Sequence, residues 1–280
     1  MAERMIEANG VELCTEAFGD PVDPPVLLVM GMGGSMLWWE EPFCELLAGC
    51  RRFVIRYDHR DTGRSVTYPP GRPGYRASDL VADAVGVLDA YEIPRAHVVG
   101  VSMGGALAQL IALDFPDRVS ALTLISTSLA VPGDRDLPGS TDELRRFFAT
   151  ARADPAGADS AVEYMVAYSR VLAGTERPFD ERAVRELARR DAERARDFAA
   201  AGNHGVLPDE DVPRAPLSSI AVPVLVIHGT ADPMFPPEHG RALAKSIPGA
   251  RLLTLPGAGH GLDRADWRAV AGAIANQAGG

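Results

Sequence analysis

The chain has 280 residues, 46% of them hydrophobic and 24% charged, with a formal net charge of −10. This is the composition of an ordinary soluble globular protein, long enough for one large α/β domain with an inserted subdomain. The acidic balance argues against nucleic acid or an anionic membrane surface as partner, since either demands a basic patch, and no run of about 18 apolar residues is present to span a bilayer. No basic segment followed by an apolar run opens the sequence, so no secretory signal is expected. Cys14, Cys44 and Cys50 are odd in number and lack metal-type spacing, and they read as reduced thiols of a cytoplasmic protein.

In chain order, Arg4 to Glu7 and Val11 to Phe18 flank Asn9-Gly10 and predict a β-hairpin. Val26 to Met30 is a continuous apolar run, the mark of a strand buried on both faces, and it leads into Gly31-Met32-Gly33-Gly34. A helix is expected from about Leu37 to Leu47, and a second buried strand at Phe53 to Tyr57 ends in the polar loop Asp58 to Ser65. Ser78 to Ala90 has helical apolar spacing, with Ser78 as the candidate N-cap. An apolar strand then runs to Val101, a helix from Met103 to about Phe115, and a strand from Ala121 to Ile125. Strand and helix alternate, which predicts a parallel sheet with helices on both faces.

The alternation stops near Val131. From there to Leu217 the sequence is rich in Arg, Glu, Asp and Ala, with helices expected at Glu143 to Ala151, Ser160 to Leu172 and Asp180 to Ala201. The sheet pattern resumes at Val222 to Ile227 and continues through a helix at Pro237 to Ser246, a strand at Arg251 to Leu255 and a helix at Arg264 to Gln277. The expected organisation is a core domain from 1–130 and 218–280, with 131–217 as a helical cap over the C-terminal edge of the sheet, where such folds bind ligands.

Gly100-Val101-Ser102-Met103-Gly104 fits G-x-S-x-G, and it has the context that motif needs, an apolar strand before it and a helix after it. A serine in so tight a turn is strained, and the turn is tolerable only if the residues two before and two after carry no Cβ. The strain exposes the hydroxyl, and the helix start offers free N–H groups for a developing oxyanion. The hydroxyl needs a base and the base an acid. Asp232 follows the strand ending at His228-Gly229, and His260 stands among small residues after the strand ending at Leu255, which leave its imidazole free to turn. The order Ser…Asp…His is the one this motif demands. Asp263 is the alternative acid, and Ser126-Thr127-Ser128 offers no carboxylate. The backbone N–H groups of Met32 and Met103 are the expected oxyanion hole. A dinucleotide fingerprint is not supported by Gly31-x-Gly33-Gly34, and neither a P-loop nor H-E-x-x-H is present, so no cofactor and no metal are expected.

With these residues in place, the chain resembles the α/β-hydrolases. More closely it resembles the actinobacterial esterases that include the aclacinomycin (anthracycline) methylesterases. The resemblance rests on Leu28-Val29-Met30-Gly31, on the run Arg56-Tyr57-Asp58-His59-Arg60-Asp61-Thr62-Gly63-Arg64-Ser65, and on His97-Val98-Val99-Gly100-Val101-Ser102-Met103-Gly104. It implies a mostly parallel sheet with helices on both faces and an inserted helical cap, the triad Ser102, Asp232 and His260, and oxyanion donors at Met32 and Met103. Met30-Gly31 replaces the His-Gly of many relatives, and Asp61 stands where a glycine is usual.

Candidate pocket residues are Gly31, Met32, Met36, Trp39, Met103, Met234 and the cap's Tyr164, Met165 and Tyr168, the two tyrosines one helical turn apart. The alternative for this face is plain core packing. Asn203 and His204, near the end of the cap, are further candidates for ligand contact, and the loop Asp58 to Ser65 reads as a structural network tied by Arg60. No Arg or Lys stands out as a carboxylate anchor, so the expected partner is a neutral, fairly apolar ester of a small molecule. The expected reaction is ester hydrolysis through an acyl-enzyme on Ser102. A perhydrolase or C–C bond hydrolase on the same triad, or a non-hydrolytic ligand-binding protein, is the alternative.

Overall fold

A computed structural model describes residues 2–131, 136–150, 158–210 and 212–277. The predicted helix end at Ala151 and residues 278–280 lie outside it. Its strands are β1 (Arg4–Ala8), β2 (Val11–Phe18), β3 (Pro25–Val29), β4 (Phe53–Tyr57), β5 (Ala96–Val101), β6 (Val119–Ile125), β7 (Val224–Gly229) and β8 (Arg251–Leu255). Its α-helices are α1 (Glu41–Gly49), α2 (Ala77–Ala90), α3 (Met103–Asp114), α4 (Asp142–Thr150), α5 (Ala158–Ala173), α6 (Glu181–Arg194), α7 (Glu238–Ser246) and α8 (Trp267–Gln277).

The strands form one sheet in the order β1-β2-β4-β3-β5-β6-β7-β8. β2 pairs antiparallel with β1 and β4, and every other pairing is parallel. Asn9 and Gly10 turn the N-terminal hairpin at φ 48° and 72°, the left-handed pair that a two-residue hairpin turn requires. The apolar runs are continuous because the sheet is covered twice. Leu27 and Val29 face a core shared with Leu80 of α2 and Ile111 of α3, while Val26 and Leu28 face Phe43 and Leu47 of α1 and Ile274 of α8.

From β3 the chain turns to β4 on one side, then returns through α2 to β5 on the other. The chain direction across the sheet therefore reverses between β3 and β5, and the C-terminal edge at such a reversal is the position where open α/β sheets bind ligands. β6, β7 and β8 run in the same direction, so their following loops open onto that edge too.

Several elements differ from the sequence reading for local reasons. The helix expected from Leu37 is broken. Ser35 caps a short 3-10 turn at Met36–Trp38, and α1 begins only at Glu41, with Pro42 in the first turn where a missing N–H does no harm. Ser78 is not the N-cap of α2. The cap is Arg76, whose N–H donates to the Asp79 carboxylate at 2.8 Å, while Ser78 N–H and Oγ donate to Glu210. The helix expected from Asp180 to Ala201 ends at Arg194, and a 3-10 segment at Phe198–Gly205 follows, capped by Asp197. Likewise, the C-terminal helix divides into a 3-10 turn at Arg264–Asp266 and α8.

Between β6 and β7 the described residues hold α4, α5, α6 and that 3-10 segment, with a small apolar centre of Val162, Val166 and Ala188. Polar ties join this insertion to the sheet. Trp38 Nε1 donates to Asp191 at 2.7 Å, and Arg194 pairs with buried Asp58 at 2.7 Å and with Glu3 at 2.6 Å.

Candidate active site

Ser102 stands between the last residue of β5 and the first of α3 at φ 54°, ψ −121°, a conformation that costs a non-glycine residue on the order of 1–3 kcal/mol. The glycines around it show what permits the turn. A Cβ on Gly100 would lie 2.1 Å from the carbonyl oxygen of Gly104, and one on Gly104 would lie 2.2 Å from that of Val29. On Gly105 it would meet the Thr127 side chain at 2.7 Å, and Thr127 in turn donates its hydroxyl to the Ser102 carbonyl. Strand, turn and helix are thus packed backbone against backbone, and Ser102 Oγ is turned outward.

The structure brings the three sequence-predicted polar side chains together. Ser102 Oγ lies 2.9 Å from His260 Nε2, and His260 Nδ1 lies 2.9 Å and 3.1 Å from the two oxygens of Asp232. An ionised carboxylate only accepts, so Nδ1 carries the proton and Nε2 is left to accept from the serine hydroxyl. Asp232 is buried, and burial alone would raise its carboxyl. The charge and hydrogen bond of His260, with the Phe235 N–H, more than offset that and hold it below the ordinary carboxylate range. Its Oδ1 also accepts N–H bonds from Met234 and Phe235, both at 2.9 Å. The alternative acid, Asp263, is used elsewhere, accepting the Ala265 N–H as the cap of the 3-10 turn at Arg264–Asp266.

The small residues beside His260 serve a purpose the sequence did not reveal. A Cβ on Gly259 would sit 2.3 Å from the Leu172 carbonyl oxygen, and the His260 backbone N–H donates to that same oxygen at 2.8 Å. Gly259 makes room for the end of α5, and the imidazole is not free to turn because Asp232 holds its Nδ1 and Ser102 Oγ its Nε2. Phe235, its ring centre 5.6 Å away, packs against it as well. Leu172 and Phe235 carried no signal that would have marked them, since each is an ordinary apolar residue in sequence.

Opposite Ser102 lies the loop after β3. The strands are neighbours, with Val29 beside Gly100, and Gly31 is buried so close that a Cβ there would lie 3.3 Å from Ser102 Cβ. Three contacts hold the loop. His59 Nε2–H donates to the Met30 carbonyl at 3.0 Å, Gly33 N–H donates to His204 Nδ1 at 3.0 Å, and Met36 N–H donates to Asp58 at 2.9 Å. Met32 lies between the first two, with its side chain 56% exposed. Met103 is the first residue of α3, where the helix offers its N–H no partner of its own.

The residues predicted to line a pocket fall in different surroundings. Met36 and Trp39 are 0% and 2% exposed and belong to the core, Trp39 stacked on Phe43 at 5.7 Å. The 3-10 turn before α1 directs them inward. Met165 packs against the apolar centre of the insertion, because it shares that face of α5 with Val162. Tyr164 and Tyr168 are half-buried and cluster with Phe147 of α4, at ring distances of 5.6 and 5.8 Å. Burial, with Tyr164 and Asp232 adding to it, pushes the Tyr168 hydroxyl up to about 12. Met103 and Met234 are half-buried.

Asn203 and His204 are 0% and 4% exposed and serve the framework. Asn203 donates to Asp61 at 2.8 Å and accepts the Gly71 N–H. In the loop Asp58 to Ser65, Arg60 makes two 2.7 Å bonds to Asp83, and Asp61 accepts from Tyr68 N–H and Tyr75 OH. These side chains cross-link loops. Among the described residues no group of three or more His, Cys, Asp or Glu is placed to hold a metal, and no helix is long and apolar enough to cross a membrane. Cys14, Cys44 and Cys50 are free thiols.

The α/β-hydrolase family model matches residues 24–262. The chain belongs to the α/β-hydrolase family. It is 39% identical to the rhodomycin D methylesterase DauP of Streptomyces sp. (strain C5) and 38% identical to the rhodomycin D methylesterase DnrP of Streptomyces peucetius, in each case over 98% of this chain and 97% of the relative. With those relatives, this α/β-hydrolase is a carboxylic ester hydrolase. In structure it is similar to a hydrolase from Pseudomonas aeruginosa PA01, with a TM-score of 0.75 and 29% identity over 99% of this chain and 98% of that one. It also shares the fold of the esterase RhEst1 from Rhodococcus sp. ECU1013, with a TM-score of 0.77 and 21% identity over the full length of both.

Proposed function

We propose that this hydrolase cleaves its ester through an acyl-enzyme on Ser102, with His260 as general base and acid and Asp232 as the group that fixes the imidazole. The observation that carries the proposal is the unbroken relay from Ser102 Oγ through His260 to Asp232, with both links at 2.9 Å. As Oγ attacks the carbonyl carbon, its proton passes to Nε2, and the imidazolium so formed is stabilised by the buried carboxylate. Negative charge then develops on the carbonyl oxygen, between the N–H groups of Met32 and Met103. Each such donor is worth about 3 kcal/mol of barrier. The same Nε2–H protonates the leaving alcohol, and water repeats the sequence to release the acid.

The expected substrate is the methyl ester of a neutral, largely apolar polyketide-type molecule, so that methanol leaves. Two features support this. The relatives named as methylesterases match over nearly the whole chain, and the insertion carries an aromatic cluster of Phe147, Tyr164 and Tyr168, with Tyr168 near enough to Asp232 to feel its charge and no cationic anchor among the candidate pocket residues. Segment 131–217 acts as the cap, working in a protein that needs no cofactor.

The test combines a substrate panel with one variant. p-Nitrophenyl acetate and butyrate are expected to give a burst of one p-nitrophenol per active site, and rhodomycin D-type methyl esters to give methanol. Ser102→Ala is expected to lower kcat by roughly 10⁴-fold or more while leaving the unfolding midpoint nearly unchanged. Burst kinetics that persist in Ser102→Ala would overturn the mechanism. Turnover of short acyl esters with no methanol from any methyl ester would overturn the substrate class alone.

A further inference from the structure

His204 lies outside the triad, yet it is wired to the loop opposite Ser102. Gly33 N–H donates to its Nδ1 at 3.0 Å, and its Nε2 meets the Arg60 carbonyl oxygen at 2.8 Å. A carbonyl oxygen only accepts, so Nε2 must carry the proton and Nδ1 must be bare. The neutral ring in that one tautomer is the form that satisfies both contacts. The surroundings enforce it. The ring is 4% exposed, His59 and Tyr75 pack edge-on at 5.8 Å and 6.4 Å, and burial lowers its basicity.

The residue comes from the insertion but is fixed to the core. Its neighbour Asn203 bonds to Asp61 and to the Gly71 N–H, which pins the 3-10 segment at Phe198–Gly205 against the loops beneath it. On the other side of the contact, Gly33 has φ 71° and no side chain of its own to hold the loop in place. Its N–H belongs to the peptide that joins it to Met32. Fixing the direction of that N–H fixes one end of Met32, and the Met32 N–H projects from the other.

We propose that His204 is a positioning residue for the oxyanion hole. By accepting the Gly33 N–H, its Nδ1 sets the orientation of the Met32 amide against the developing charge. The inference rests on the assignment of Met32 and Met103 as oxyanion donors. It adds that the cap supplies part of the hole's rigidity, so the insertion shapes transition-state stabilisation as well as access.

Three substitutions separate positioning from bulk stability. His204→Asn puts an amide oxygen where Nδ1 stood, His204→Gln puts its amide group where Nε2 stood, and His204→Phe keeps a ring but neither nitrogen. Turnover of p-nitrophenyl butyrate is measured per active site titrated with a fluorophosphonate, so that a partly folded preparation is still read correctly. His204→Phe and His204→Gln are expected to lose about 10- to 100-fold in kcat, the scale of an ångström-level displacement, with KM within about twofold of the parent. His204→Asn is expected to recover kcat to within about threefold of the parent. If His204→Phe fails to fold, the contrast between His204→Asn and His204→Gln decides.

Equal kcat in His204→Asn and His204→Gln, or a loss confined to KM, would overturn the proposal. Ser102→Ala run beside them keeps the two readings apart. If it is inactive while the three variants match the parent, only the role of His204 falls. If it stays active, the triad reading falls.

Discussion

Asp232→Asn removes one charge and keeps the shape, and the hydrogen bonds around the carboxylate dictate how the new amide must sit. Oδ1 accepts the Met234 and Phe235 N–H bonds at 2.9 Å, so the amide oxygen of asparagine will take that position and keep both. The NH₂ group then replaces Oδ2, the atom 2.9 Å from His260 Nδ1. Two donors cannot face each other, and the remaining oxygen is the farther one from Nδ1, at 3.1 Å, and already accepts two N–H bonds, so Nδ1 is expected to give up its proton and accept. The ring shifts to the tautomer protonated at Nε2, and that nitrogen now points a hydrogen at Ser102 Oγ, 2.9 Å away. The base is lost without loss of the fold. The penalty expected is about 10⁴-fold in kcat, or roughly 5.5 kcal/mol of barrier, with KM little changed. Stopped-flow release of p-nitrophenol would show the burst phase slowed by that factor, and urea unfolding would show a midpoint close to the parent's. A loss below about tenfold would mean that Asp232 does not set the tautomer, and the role of acid would have to be sought elsewhere.

Two further predictions concern the scaffold. Gly104→Ala would put a methyl group 2.2 Å from the Val29 carbonyl oxygen and 2.5 Å from that of Met30, both backbone atoms of the neighbouring strand end. The two elements must separate, and urea unfolding should report a loss of about 3 kcal/mol with activity abolished, whereas Gly272→Ala, in α8 with nothing within 4 Å, should be neutral or gain up to about 1 kcal/mol. Equal stabilities of the two variants would contradict the close-packed turn. For acid stability, burial pushes His59 and His97 down to about 3 from 6.5. The unfolded chain binds a proton at each below pH 6.5 while the folded protein stays neutral there until near pH 3, so stability falls as pH drops through that window. Each histidine contributes a slope of about 1.4 kcal/mol per pH unit. His59→Gln keeps a donor near the Met30 carbonyl and removes one titration, so its stability should fall less steeply between about pH 6 and 4, by that one increment. A slope identical to the parent's in denaturant titrations would refute the buried neutral form.

The sequence by itself determined the α/β order of elements, the strained serine turn and the order of the three polar residues, because each is written in local spacing. Glycines at two before and two after Ser102 are a short-range steric demand, and unbroken apolar runs such as Val26 to Val29 follow from a sheet covered on both faces. Tertiary structure alone decided which side chains a loop or cap would meet. Met36 and Trp39 read as pocket until the 3-10 turn capped by Ser35 directed them into the core, and Gly259 read as slack around His260 until the Leu172 carbonyl filled the space. His204 and Gly33 lie 171 positions apart, and nothing in the neighbourhood of either announces the other. Spacing encodes what a residue does to its own backbone. Contacts between the insertion and the sheet depend on where segments far apart in sequence come to rest, and no local pattern records that.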